Sequence, residues 1–293
     1  MVFVVGSDSF AKELAGELGV EFAGVEKRVF PDGEVCPRII GNIDGHAIIA
    51  DRMKLPMSPN RYLVELLLTI KNLRQMGVET IDVVMPYFVY SRQDKIFRSG
   101  EPFSARYVLE LIKSAGARNF FTVSSHTQRD NHMFNLGGID VYNINGFDAV
   151  ARYISGLDLK DPVVAGSDLS VKGSIRQMAR SIDAGCIAFS KERDLRTGEI
   201  KLKWSFDISG RDIIIADDIV SSGHTMVSSI EIAKDSGAAK VYCFAIHAVS
   251  AEGIDLVSSK ADKFVSTDTI DNPTAEISVI KDVAEKIKAV SGI

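Results

Sequence analysis

Short apolar runs rich in β-branched residues alternate with longer amphipathic stretches along almost the whole 293-residue chain, and this alternation restricts the fold more than any other feature. Strands are expected at Val2–Val5, Ala47–Ala50, Ile81–Met85, Asn119–Val123, Val163–Gly166, Cys186–Ser190, Asp212–Ala216, Val241–Ile246 and Phe264–Thr267. Helices are expected between them at Phe10–Leu18, Asn60–Met76, Phe103–Ser114, Phe147–Ser155, Val171–Ser181, Thr225–Ser236 and Ile277–Val290. Strands interleaved with helices in this way build parallel sheets covered by helices. Nine strands are too many for a single small sheet, so the expected class is α/β, with two similar domains, each a mainly parallel sheet flanked by helices. A boundary near Asn145-Gly146 divides the chain into residues 1–146 and 147–293, with no Pro-rich or low-complexity linker to mark it.

Composition narrows the possible partners. A formal net charge of −5 argues against chain-wide attraction to nucleic acid or an anionic membrane. No apolar run approaches the roughly 18 residues that span a bilayer. The amino terminus has no basic leader before Asp8, and a cytoplasmic protein is expected. Cys36, Cys186 and Cys243 lie far apart without a C-x-x-C pair, which suggests small core residues rather than a zinc site or a disulfide framework.

The segment Ile213-Ile214-Ile215-Ala216-Asp217-Asp218-Ile219-Val220-Ser221-Ser222-Gly223-His224-Thr225 joins a buried-type strand to two carboxylates, then to a hydroxyl-rich turn and a helix. The free N–H groups and positive dipole end of such a helix favour a phosphate. Ser221, Ser222 and Thr225 add hydroxyl donors, and Gly223 allows close backbone approach. Carboxylates beside a phosphate would repel it, so Asp217 and Asp218 need another partner: the vicinal diol of a ribose, or a divalent cation. A solvated loop with a helix cap is the plainer alternative.

General nucleotide motifs are absent from the sequence: there is no Gly-Lys-Ser/Thr, no G-x-G-x-x-G and no H-E-x-x-H. Two other segments carry suitable chemistry. Phe30-Pro31-Asp32-Gly33-Glu34 is a turn with an aromatic at its start. Tyr87-Phe88-Val89-Tyr90-Ser91-Arg92-Gln93-Asp94-Lys95 follows a strand and mixes aromatics with a guanidinium, an amide and a carboxylate, which suits either a stacked base with bound phosphates or a surface loop bridged by its own ion pairs. His126 in Ser124-Ser125-His126-Thr127-Gln128 and Asp168 in Gly166-Ser167-Asp168 each follow a strand. Ser190-Lys191-Glu192-Arg193-Asp194 opens a charged stretch through Thr197-Gly198 that reads as a hairpin or as a solvated face.

Taken together, these motifs resemble those of the ribose-phosphate diphosphokinase (phosphoribosyl diphosphate synthetase) family, which has the type I phosphoribosyltransferase fold. The resemblance implies transfer of the β,γ-diphosphoryl group of ATP to the 1-hydroxyl of ribose 5-phosphate. It implies that Phe30, Asp32, Gly33, Glu34, Arg92, Gln93, Asp94 and Lys95 bind ATP, and that Lys191 and Arg193 are the catalytic cations of a flexible loop. Ribose 5-phosphate would be held by Arg193, Asp217, Asp218, Ser221, Ser222, Gly223, His224 and Thr225. His126 and Asp168 would bind Mg2+, the implied cofactor. In the family the Phe30-type turn serves a neighbouring subunit's site, so self-association into at least a dimer is expected.

The chain departs from the pattern in places. It reads Ser-Ser-Gly-His-Thr at residues 221–225, where many relatives have D-T-G-G-T, and has Ser124 where many have aspartate. Control by phosphate or ADP is not carried over. Rival readings are a phosphoribosyltransferase, which would leave the 30–34 and 87–95 segments unexplained, a non-catalytic regulatory relative, and a sugar-phosphate binding module.

Overall fold

The computed structural model describes residues 1–127, 132–166, 172–187, 189–193, 200–204 and 207–293, the side chains of 172, 189–193 and 200–204 excepted. The first elements along the chain are β1 (Val2–Gly6), α1 (Ser9–Leu18), β2 (Glu21–Val29), β3 (Val35–Ile39), β4 (His46–Ala50), β5 (Met53–Lys54), α2 (Pro59–Gln75), β6 (Thr80–Val84), α3 (Ser104–Ala115), β7 (Asn119–Val123), β8 (Met133–Leu136) and β9 (Ile139–Ile144). They are followed by α4 (Gly146–Ile154), β10 (Val163–Gly166), α5 (Lys172–Ser181), β11 (Gly185–Ile187), β12 (Phe189–Arg193), β13 (Ile200–Trp204), β14 (Asp212–Val220) and α6 (His224–Asp235). The remainder is β15 (Lys240–Ala248), α7 (Ala251–Ser258), β16 (Lys263–Thr267), β17 (Ile270–Asp271), β18 (Ala275–Ile277) and α8 (Ile280–Ser291). No helix among the described residues is long and apolar enough to cross a membrane.

Two compact units result. The first comprises residues 1–145, 269–271 and 278–293, and the second residues 146–268 and 272–277. The first unit is built on an eight-stranded sheet ordered β3-β2-β1-β4-β6-β7-β9-β8, parallel except at the edges, where β3 and β8 pair antiparallel. The second holds a six-stranded parallel sheet ordered β11-β10-β14-β15-β16-β18. This is the expected α/β class with mainly parallel, helix-flanked sheets. The assignment of the C-terminal segment differs from the sequence expectation. Helix α8, placed by the sequence in the second half, packs in the first unit against α1, β7 and β9. The cause is its apolar stripe: Ile280, Val283, Ala284 and Ile287 are all buried. Lys288 and Ser291 pin its far end, donating to the Glu17 carbonyl and to the Asp82 carboxylate.

The central strands carry apolar runs because helices cover both faces: residues 213–216 of β14 and Val4, Val5, Ile48 and Ile49 are essentially inaccessible to water. Strand β2 escapes an apolar-run reading because it alternates. Ala23 and Val25 are buried, whereas Glu26 and Arg28 face solvent. Expected strand Cys186–Ser190 is in fact two strands in different sheets, β11 beside β10 and β12 beside β13. The two strands flanking the expected hairpin pair as the antiparallel β12–β13 ladder, while its turn, residues 194–199, lies outside the described residues.

Candidate functional site

The second unit supplies the sugar-phosphate candidate. Strand β14 lies between β10 and β15, and its pairing with β10 runs from Val163↔Ile213 to Gly166↔Ala216. It does not stop at Ala216 as the sequence suggests. Alongside β15 it continues to Val220↔Ala248, so Asp217 and Asp218 sit in the second half of a strand and not in a loop. Both are buried, and the Asp218 N–H donates to Asp217 Oδ1 at 2.8 Å. Continued pairing with β15 satisfies the backbone there, which overrides the turn-forming tendency of paired aspartates.

The chain then turns at Ser221-Ser222 and enters α6 through Gly223, the helix N-cap, at φ 80°. A β-carbon at Gly223 would lie 3.0 Å from the Gly253 carbonyl oxygen, so both the backbone angle and the space require glycine. No side chain caps α6, which leaves its first amides for solvent or a ligand. Ser222, His224 and Thr225 are exposed at that end and Ser221 is half-buried. His224 is the first helical residue. Buried carboxylates are thus followed by an open, hydroxyl-lined helix N-terminus.

The nucleotide candidates lie in the first unit. Residues 30–34 form the tip of the β2–β3 hairpin, closed by Phe30 N–H to Glu34 O at 2.8 Å and Gly33 N–H to Phe30 O at 2.9 Å. Asp32 accepts from the Glu34 N–H, and Arg28 lies over the Phe30 ring at 4.5 Å. Every residue from Arg28 to Glu34 is exposed. Two aromatics of the second segment are unavailable as base platforms: Tyr87 and Phe88 are core residues, 8% and 1% exposed. Strand β6 delivers them into the sheet interior, and the chain emerges only at Tyr90, which adopts φ 67°. Beyond it, Arg92 and Lys95 are exposed, and Gln93 and Asp94 half-buried. The Gln93 amide donates to the Lys95 carbonyl and to Glu101. Exposed Phe97, with the Lys95 ammonium 5.1 Å from its ring centre, is an aromatic that the motif reading passed over.

His126 is half-buried just beyond the carboxyl end of β7. The loop carrying it is drawn toward β9: Ser124 takes φ 40° and donates its N–H to the Ile144 carbonyl, while the Ser125 N–H donates to the Asn143 side chain. Thr127, buried, donates its hydroxyl to the Ser91 carbonyl at 2.9 Å. This bond ties the His126 loop to the segment bearing Arg92, and no motif announces it. Asp168 and the side chains of Lys191 and Arg193 lie outside the described residues, although the backbone of both cations belongs to β12, at Lys191↔Leu202 and Arg193↔Ile200.

Magnesium prefers hard oxygen donors and keeps several waters. Among the described residues no group of three or more His, Cys, Asp or Glu side chains could hold a metal. Beside His126, however, the buried Ser125 hydroxyl has no hydrogen-bond partner among the described residues, and a buried hydroxyl left so is costly unless water or a ligand meets it. His126 with an oxygen-rich loop therefore suits a hydrated cation better than a closed protein cage.

Comparison with known proteins gives one consistent answer. Residues 1–116 match the model of the N-terminal domain of ribose phosphate pyrophosphokinase, and residues 198–291 that of the phosphoribosyl synthetase-associated domain. The ribose-phosphate pyrophosphokinase of Methanothermobacter thermautotrophicus is 30% identical over 285 residues, covering 96% of this chain and 97% of that one. That of Methanopyrus kandleri is 31% identical, with 96% of each chain covered. The crystal structure of phosphoribosylpyrophosphate synthetase from Mycobacterium smegmatis superposes with a TM-score of 0.81 at 25% identity over 99% of both chains.

Proposed function

The chain belongs to the ribose-phosphate pyrophosphokinase family, and from that premise we propose how its residues divide the reaction. It transfers the β,γ-diphosphoryl group of ATP to the 1-hydroxyl of ribose 5-phosphate. The sugar's 1-oxygen attacks the β-phosphorus, the bond from that phosphorus to the α,β-bridging oxygen breaks, AMP departs, and the hydroxyl proton passes to solvent. Little covalent work falls to the protein, so positioning and charge stabilisation carry the rate.

Ser221, Ser222, Gly223, His224 and Thr225 hold the 5-phosphate through hydroxyls and the first amides of α6, with Arg193 as a further cation. Asp217 and Asp218 accept hydrogen bonds from the ring hydroxyls. The observation that carries this assignment is the sequence of buried carboxylates, tight glycine turn and uncapped helix start along β14–α6. Phe30, Asp32, Gly33 and Glu34 meet the adenine, and Arg92, Gln93, Asp94 and Lys95 the rest of the nucleotide. Lys191 and Arg193 stabilise the charge that moves onto phosphoryl oxygens in the transition state. His126 and Asp168 would hold Mg2+, which when bound neutralises the triphosphate.

Self-association into at least a dimer belongs to the same reading. It is supported by the exposed 28–34 hairpin tip and by exposed apolar residues on two helices, Val64 and Leu68 on α2 and Tyr107 and Leu111 on α3. A phosphorus NMR time course with ATP, ribose 5-phosphate and magnesium tests the function. AMP and phosphoribosyl diphosphate should appear in equal amounts and only with the sugar present. A folded sample that made neither would overturn the assignment.

A further inference from the structure

The sugar-phosphate loop does not hold its own shape. Within Ser221–Gly223 no side chain caps the helix that follows, and the bonds that fix the turn come from Val249 and Ser250, the two residues that lead into α7, about thirty residues further on. The Val249 N–H donates to the Val220 carbonyl at 2.9 Å. The Ser250 hydroxyl donates to the Ser221 carbonyl at 2.6 Å and accepts from the Gly253 N–H at 3.0 Å. That hydroxyl caps α7 and clamps the loop at once, its donor and one acceptor position both engaged.

Gly253 adds a steric condition. It sits inside a helix, where glycine is ordinarily a liability against alanine. A β-carbon there would lie only 1.8 Å from the Ser221 carbonyl oxygen and 2.8 Å from its carbonyl carbon, so any side chain would push the loop away. The neighbouring Gly223 approaches the same helix from the other side, its absent β-carbon 3.0 Å from the Gly253 carbonyl oxygen and 3.1 Å from Val257 Cγ2. Two glycines, one in each element, let the backbones meet.

We infer that Ser250 and Gly253 are positioning residues for ribose 5-phosphate: they touch no substrate, but hold Ser221 and Gly223 where the loop can present its donors to the phosphate. This rests on the assignment of residues 221–225 as the phosphate loop. The remainder of the site should be untouched, so the effect is confined to the sugar.

The test is ribose 5-phosphate affinity by calorimetry, with separate KM values for sugar and ATP, on four variants of the full chain. Ser250→Ala should weaken sugar binding about fivefold, the worth of one hydrogen bond, and Ser250→Thr, which keeps the hydroxyl, should restore it. Gly253→Ala should weaken it by tenfold or more, since the loop itself must shift. KM for ATP should stay within twofold throughout. Thr225→Ala tests the underlying assignment: if it leaves sugar affinity unchanged, the phosphate loop is misassigned. If Thr225→Ala weakens sugar binding while Ser250→Ala does not, the positioning role alone is overturned, even should Gly253→Ala fail to fold.

Discussion

Replacing Lys27 by methionine should destabilise the first unit severely, although it lies outside every segment assigned to substrate. Its ammonium is 2.7 Å from Asp51 Oδ2 and 3.2 Å from Glu65 Oε2, and the two carboxylates are 9% and 2% exposed. Burial works against the charge on Lys27, but the two carboxylates outweigh it and its pKa is raised above the ordinary lysine value. Methionine fills much the same volume and leaves both anions. Asp51 would keep the Ser7 N–H and hydroxyl on Oδ1, and Glu65 would keep Arg61 on Oε1. Glu65 Oε2 has no well-aligned hydrogen bond among the described residues, so the nearby ammonium is what compensates it. Breaking one side of a buried pair costs about 3–5 kcal/mol, and the surviving partners place this case near the lower end, about 3 kcal/mol. For a protein of this size that is a fall in Tm of roughly 6–12 °C. Calorimetry of the variant tests the figure, and adding Glu65→Gln to Lys27→Met should recover part of the loss by removing the stranded charge. A loss below about 1 kcal/mol, the value of an exposed pair, would refute the argument.

Other outcomes follow from the site. Lys191→Ala should lower kcat by about 100-fold or more with small changes in KM, the signature of a transition-state cation; near-normal turnover would remove it from that role. Asp217→Asn should weaken ribose 5-phosphate by about tenfold or more, the worth of a hydrogen bond to a charged group, and leave ATP affinity alone; calorimetry decides. Burial opposes ionisation of Asp82, but His46 and Arg118 prevail and hold its carboxyl below the usual range. A depressed folded pKa gives stability that is present above the unfolded value near 4 and lost as pH falls through the lower, folded one. Urea unfolding of the native protein should therefore weaken on acidification below about pH 4, and Asp82→Asn should flatten that part of the profile.

The parallel sheets were legible because their central strands are buried on both faces, and burial on both faces is what an apolar run reports. Strands that alternate were not: β2 carries Glu26, Lys27 and Arg28 in succession, yet Ala23 and Val25 face the core. Helix α7, at eight residues, is too short to show a period. The C-terminal helix was recognised as a helix, but its place in the first unit depends on long-range packing, on which local periodicity is silent.

The same division runs through the site. The elements of the sugar-phosphate loop are contiguous in the chain, and chemistry that is contiguous in sequence can be read there. Its burial could not be, because Asp217 and Asp218 are kept in a strand by β15, a partner chosen by the sheet and not by the aspartates. Aromatic content also misled in the 87–95 segment, since an aromatic after a strand serves a base or a core equally well, and Tyr87 and Phe88 serve the core. Ser250 and Gly253 carry no motif at all. A serine before a short helix reads as a cap, and a glycine within one as a weakness. Only the 1.8 Å between an imagined β-carbon and the Ser221 carbonyl turns that weakness into a requirement, because the helix gives up propensity there so that a loop from another part of the chain can rest against it.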